Sequence, residues 1–188
     1  YDPAEGDILF QGQSILKKAS HDIPHLGIAR TFQNIELFEQ ASVLQNLLVG
    51  RQRHRRSNVL EEILFLPKVR KQEHHHRLAV EHVIDFLDLQ PYRDKFISGL
   101  PYGIRKVVGM GRALAIGPKL LLLDEPASGL STEETQDVAF WIEDIKKVMG
   151  ITVLMVEHDM HLVNSVSDRV DQMHVMFNHQ HRNPHDMH

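Results

Sequence analysis

Apolar positions in this chain follow two rhythms, and where they switch marks its parts. Leu120 to Leu123 run without a polar face, which suits a short strand buried on both sides of a parallel sheet. ITVLMV, residues 151–156, reads as a second buried strand. Between them Val138, Trp141, Ile142, Ile145 and Val148 share one face of a helix, opened by a Ser131–Glu134 capping box and ended by Gly150. Strand, helix, strand with a crossover of that length is a βαβ unit. Upstream, GDILFQGQSIL reads as two short strands around Gln11-Gly12, residues 21–29 as a short helix with Pro24 in its first turn, and Arg30 to Gln33 as extended. Ser42 and Gln45 form another capping box, before a helix with Val43, Leu44, Leu47 and Leu48 on its apolar face. From there to about residue 98 the chain is helical and more polar. Val80, Val83, Ile84 and Leu87 form one amphipathic face, and Pro67 and Pro91 break the stretch into pieces. A helix over about 103–116 then leads through Gly117-Pro118 into the leucine strand. The pattern predicts an α/β core in two parts, 1–41 and 99–170, with a helical subdomain at 42–98 and a His/Met-rich tail at 171–188.

Composition narrows the functions open to such a fold. A chain of 188 residues, 42% of them apolar, can bury a real core. No apolar run approaches the ~20 residues of a membrane span, and the polar start YDPAEGD is no secretory signal. The absence of cysteine leaves no disulfide framework and no thiolate metal site. A net charge of −4 argues against general nucleic-acid binding. The basic runs 51–56 and 68–71 read first as solvated helix faces, with anionic lipid or nucleic acid as the alternative. His74 to His76 are consecutive, so a helix spreads them around its circumference, and no metal site is expected there or in the tail. Met155, Met160 and Met173 read as filler. The first residue is Tyr1, so the sequence is not expected to be an intact translation product.

Three short stretches carry chemistry. Asp124 and Glu125 follow the leucines at the carboxyl end of a strand, where open α/β sheets bind ligands, and Pro126 stops the strand. Two carboxylates there are costly without a cation or a reaction to use them; the bland alternative is a solvated strand end. VEHD ends the second strand, so neighbouring strands would bring His158 to the same rim, although a lone histidine is more often structural. LPYGIRK, residues 100–106, starts a helix at which Gly103 permits close backbone approach. Arg105 and Lys106 oppose the dipole at that end, and an anion bound there would reverse the sign. On the dipole argument alone, a solvated turn with both side chains pointing outward is the simpler reading.

The order RTFQ, helical insertion, LPYG, LLLLDEP, SGLS, VEHD resembles the nucleotide-binding subunits of ABC transporters over about residues 1 to 170. RTFQNIELF, SVLQNLLVG, LPYGIRK and EHDMHLV resemble in particular the ATP-binding subunits of branched-chain amino-acid importers. The resemblance implies a P-loop NTPase core with an inserted helical subdomain, and ATP and Mg²⁺ as cofactors. Asp124 would hold Mg²⁺, with Gln33 of the Q-loop beside it, and Glu125 would be the base that polarises water, with His158 as the switch histidine. Pro101, Tyr102 and Gly103 would stand in the signature loop, and Ser128, Gly129, Leu130 and Ser131 in the D-loop. The implied partners are transmembrane permease subunits and a second ATP-binding subunit, with no nucleic acid. Membrane contact would come only through those partners, at the cytoplasmic face of the inner membrane. In the family the cradle G-x-x-x-x-G-K-[ST], whose amides wrap the phosphates, lies upstream of the Q-loop glutamine. This sequence contains no Gly-Lys dipeptide. The expectation is therefore an N-terminally truncated core that alone binds ATP poorly and hydrolyses it negligibly. Val107 and Gly109 depart from the subfamily's usual Arg and Glu, Gly109 and Gly111 each weaken a helix by ~1 kcal/mol relative to alanine, and the tail departs after Val170. The alternatives are a non-hydrolysing interaction module and a soluble ABC-type ATPase unconnected with transport.

Overall fold

The computed structural model describes residues 6–31, 36–52 and 67–167. Its centre is a parallel sheet of three strands in the order β3 (Ile28–Arg30), β4 (Leu120–Asp124), β5 (Thr152–Val156). Ala29 pairs with Leu121 and Arg30 with Leu122, while Asp124 pairs with Val156. An antiparallel hairpin, β1 (Leu9–Phe10) and β2 (Gln13–Ser14), precedes the sheet, with Gln11 and Gly12 both at positive φ in its turn. The expected helix over 21–29 is shorter than predicted. It is one 3₁₀ turn, Ile23–Leu26, closed by Gly27 at φ 94°. Beyond it Ile28 and Ala29 are buried in β3, because pairing with the leucine strand and burial both favour extension there.

The leucine strand is not buried evenly. Leu121 and Leu123 are buried, whereas Leu120 and Leu122 on the opposite face are half-buried. In β5 the correction is larger, since Thr152, Leu154 and Val156 are exposed. Strand β5 lies at the edge of the described sheet, and Leu120, Leu122 and Leu154 line a cavity of about 810 Å³ together with Ile8, Ile15 and Pro24. A run of apolar residues specifies a strand, but what covers each face is a tertiary matter.

The helical part begins at Ser42, whose side chain accepts from the Gln45 amide while the Gln45 side chain accepts from the Ser42 amide. Helix α1 (Val43–Arg51) buries Val43, Leu44 and Leu47. Buried Asn46 fixes the entry into it, accepting from the Phe38 amide at 2.9 Å and donating to the carbonyls of Phe38 and Ser42. Pro67 is the first residue of α2 (Pro67–Phe86), a position where a missing N–H costs nothing, and Pro91 lies in the 3₁₀ turn Gln90–Tyr92. Val80, Val83, Ile84 and Leu87 are all buried, as their spacing requires. His74 and His75 are exposed and His76 is buried, accepting from Arg51 Nε at 3.3 Å.

Helix α3 (Tyr102–Ala115) joins the two parts, packing on both α1 and α2. Small residues make this possible. A side chain at Gly50 would run into the Arg112 carbonyl, and one at Gly111 would press on Leu87 and Leu47. The glycine that weakens α3 by propensity thus allows its closest packing; Gly109 has no such neighbour. Helix α4 (Thr132–Lys147) buries Val138, Ile142 and Ile145, but Val148 is 73% exposed because the helix has ended before it. Helix α5 (Met160–Val166) follows β5.

Glu81 and Arg93 tie α2 to the loop beneath it, with Arg93 Nε at 2.9 Å from Glu81 Oε2 and a further bond from its Nη2. That hydrogen bonding, ahead of any other cause, holds the Glu81 carboxyl below its ordinary value. The stabilisation is therefore complete above the unfolded carboxylate range and lost as pH falls through the lower folded value. Glu81→Gln is expected to lower the unfolding free energy by about 1–3 kcal/mol at pH 7, with the difference from wild type shrinking below about pH 4. Urea denaturation of both proteins across that pH range measures it.

Candidate functional site

The site lies where β3, β4 and β5 end together. Arg30, the last residue of β3, sends Nη2 to Asp124 Oδ2 at 2.8 Å. Thr31 extends the pairing, its amide donating to the Leu122 carbonyl at 2.9 Å and its hydroxyl accepting from the Asp124 amide at 3.4 Å. Asp124 is thus fixed on its backbone by Thr31 and β5 and met on its carboxylate by a guanidinium.

At the next residue the chain leaves the sheet. Glu125 has φ 46°, a left-handed conformation that costs a non-glycine residue ~1 kcal/mol or more. Its amide still reaches the Val156 carbonyl at 2.9 Å, so the reversal happens within one residue. The side chain is carried toward β5, where His158 Nε2 lies 3.2 Å from Glu125 Oε1. Glu157 staples the two strand ends together, accepting from the Ala127 amide and the His158 amide, each at 2.8 Å.

Lys106 reaches in from α3. Its ammonium donates to the carbonyls of Glu125 at 2.8 Å and Pro126 at 3.3 Å. Burial lowers its pKa, an effect partly offset by Glu157 and Glu125. Arg105 is half-buried, its Nε makes no hydrogen bond among the described residues, and its guanidinium lies 6.0 Å from the centre of the Tyr102 ring. The outward-pointing pair expected from the dipole argument is therefore corrected: the loop after β4 supplies carbonyl acceptors that solvent would otherwise have to replace.

Two of the predicted clusters meet each other. Gly103 is buried, and the carboxylate of Glu134 sits where its side chain would be. Gly129, at φ 76°, lies under the Tyr102 ring. The turn Pro101–Gly103 thus packs against the turn Ser128–Ser131, and Ser131 and Glu134 close their capping box around the start of α4. The anion beside the start of α3 is Glu134. Gln33 lies outside the described residues. Among those residues no group of three potential ligands forms a metal cluster, and no helix is long and apolar enough to cross a membrane.

The structure puts Asp124, Glu125 and His158 on one rim, as expected if the strands are neighbours, and adds contacts from Arg30, Thr31, Lys106 and Glu157 that the sequence reading did not place there. Arg30 and Thr31 flank Asp124 because β3 pairs with the leucine strand, a pairing that the expected helix over 21–29 concealed. Lys106 and Glu157 bond backbone groups distant in the sequence, which no local pattern encodes.

A family model described as ABC transporter matches residues 1–128. This chain belongs to the ABC transporter family. It is 34% identical over 170 residues to the high-affinity branched-chain amino acid transport ATP-binding protein BraF of Pseudomonas aeruginosa, covering 90% of this chain and 67% of that protein. It is 30% identical, with the same coverage, to LivG of Escherichia coli, which bears the same description. Among solved structures, the ADP conformation of MJ1267, an ATP-binding cassette of an ABC transporter, superposes with a TM-score of 0.69 at 29% identity, over 87% of this chain and 63% of that one. A nucleotide-free cassette superposes with a TM-score of 0.68 at 26% identity, over 89% and 65%. The chain therefore spans about two thirds of the length of the relatives it matches. Its sheet and helices are those of the ATP-binding cassette, an α/β P-loop NTPase fold of a nucleotide-binding family.

Lys106→Met should test the inward lysine. It leaves two carbonyls without their donor but also removes a desolvated charge, so the expected net loss is about 1 kcal/mol. Amide exchange at Ala127 and Ser128 should quicken more than exchange in α2, read by mass spectrometry. Equal exchange in the mutant and wild-type loops would show that Lys106 does not hold it.

Proposed function

We propose that this chain is the ATP-binding and hydrolysing part of an ABC importer for branched-chain amino acids, working through membrane-embedded permease subunits and paired with a second ATP-binding subunit. The observation that carries the reading is the convergence of Asp124, Glu125 and His158 at the strand ends, with Glu125 and His158 at 3.2 Å. The substrate class comes from the relatives, since these subunits act on ATP and not on the transported molecule.

The residues fit Mg²⁺. Carboxylate oxygens are the hard donors that it takes, and the Arg30 guanidinium already stands as a cation on Asp124 Oδ2. Asp124 would hold the metal, which supplies charge neutralisation on the phosphate oxygens when bound. Glu125 accepts a proton from the attacking water at its carboxylate. Its left-handed backbone and the bonds of Lys106 and Val156 fix where that carboxylate stands, so little reorganisation accompanies the proton transfer. His158 holds Oε1 of Glu125 through Nε2.

Gln33 would complete the metal and water contacts. Pro101, Tyr102, Gly103 and residues 128–131 form one packed surface that in a dimer would meet the partner's nucleotide. Residues 42–98 would carry contact to the permease, and residues 1–41 and 99–170 would form the ATPase core, set at the cytoplasmic face of the inner membrane through those partners. The 188 residues contain no Gly-Lys dipeptide, so the phosphate cradle is not among them and this chain taken alone turns over ATP negligibly.

Joining this chain at its N-terminus to a segment that carries the G-x-x-x-x-G-K-[ST] cradle tests the proposal. The chimaera should hydrolyse ATP with Mg²⁺, Glu125→Gln should lower its kcat by about 10²–10⁴-fold, and the unjoined chain should show no turnover above background. Steady-state phosphate release measures all three. Robust turnover by the unjoined chain that is lost on Glu125→Gln would sink the inactivity claim; a chimaera indifferent to Glu125→Gln would sink the assignment of the base.

A further inference from the structure

Arg30 has no role in the chemistry described so far, yet it makes the shortest side-chain contact to Asp124 among the described residues, 2.8 Å from Nη2 to Oδ2. The contact follows from the fold. Arg30 is locked in register with Leu122, and Asp124 with Val156 and Thr31, so the two side chains leave neighbouring strand ends at a set separation. Lys106 stands apart from this pair, spending its protons on the Glu125 and Pro126 carbonyls.

We infer that the Arg30 guanidinium is a resident counter-ion that occupies the cation position on Asp124 and must leave that carboxylate when a divalent metal binds. The inference rests on the reading of Asp124 as the metal ligand, and it adds a positioning residue that acts through Asp124. Three physical points support it. A carboxylate with only 30% of its side chain exposed is stabilised by a cation partner when no metal is present. A guanidinium stays charged at every accessible pH, so only displacement removes it. The Arg30 side chain is 55% exposed, so it can move into water without a large desolvation cost. Arg30 thereby holds the carboxylate in place in the metal-free state, and weakens metal binding through repulsion between like charges. At a separation of a few ångströms in a solvated site, that repulsion corresponds to about tenfold in affinity.

The test is titration with Mn²⁺ alone, following the free ion by electron paramagnetic resonance, for wild type, Arg30→Gln, Arg30→Lys, Asp124→Asn and the double variant Arg30→Gln/Asp124→Asn. Arg30→Gln should bind Mn²⁺ about tenfold more tightly than wild type, with the gain shrinking as salt rises. Arg30→Lys, which keeps the charge, should stay within about twofold of wild type, and Asp124→Asn should abolish the site in both backgrounds. A merely structural role for Arg30 predicts the opposite sign, weaker binding on removal. A second measurement needs no variant: phenylglyoxal labelling of Arg30 in the wild-type chain, read by mass spectrometry, should accelerate when Mn²⁺ is added. If Asp124→Asn abolishes binding but Arg30→Gln binds no more tightly than wild type, the inference falls and the metal-ligand reading stands. If Mn²⁺ binding is absent, or indifferent to Asp124→Asn, both fall. Should Arg30→Gln not fold, a labelling rate unmoved by Mn²⁺ overturns the inference by itself.

Discussion

The arrangement of the site depends on how the chain leaves β4. One residue, Glu125, turns the backbone through a left-handed conformation while keeping its amide on the Val156 carbonyl. The strain is small beside what it arranges, since an extended Glu125 would continue the strand and point away from His158. Lys106 holds the far side of the turn. Burying an ammonium disfavours its charged form, and its lowered pKa records that cost, but two carbonyl acceptors and the nearby acids keep it in place. Without such a donor, the loop's carbonyls would have to be satisfied by water, and the turn would loosen toward ordinary loop geometry.

Lys106 also explains why α3 matters beyond packing. The first half of that helix binds the loop after β4 through Lys106, while its second half lies against α1 at Gly50 and against Leu47 and Leu87 at Gly111. One rigid element therefore touches the helical part at one end and the backbone of the proposed base at the other. A shift of α1 and α2 relative to the sheet cannot be absorbed at the Gly50 and Gly111 contacts, where atoms already meet with no side chain between them. Helix α3 is thus in contact with the helical part at one end and with the loop after β4 at the other.

What could be read from the sequence was what depends on neighbours along the chain. Both capping boxes, the apolar face of α2, the strand ending at Asp124 and the meeting of Asp124, Glu125 and His158 follow from short-range patterns and chain order. Strand β3 was hidden because it is three residues long, follows a glycine, and owes its extension to pairing with residues some ninety positions away. The half-covered faces of β4 and β5 were hidden because a leucine run looks the same whether or not its second face is covered. Lys106 was misjudged for a related reason. The helix dipole can be computed from local sequence, but the carbonyls that outweigh it belong to another segment.

The four acids at the two strand ends divide by the kind of partner that they keep. Glu157 and Asp159 bond backbone amides, Glu157 at Ala127 and His158, Asp159 at His161 and Leu162 as the cap of α5. Those donors cannot leave without unfolding a turn, so these two carboxylates are structural. Asp124 and Glu125 instead keep side-chain partners, Arg30 and His158, on flexible stems with room to move into water. An ion or a water can take the place of a side chain at little cost, whereas it cannot take the place of a backbone amide. In the sequence, DE and EHD look like equivalent acidic strand ends. That difference supports the proposal that Asp124 and Glu125 are the pair a substrate meets, and it follows from which donors the fold brings to each carboxylate.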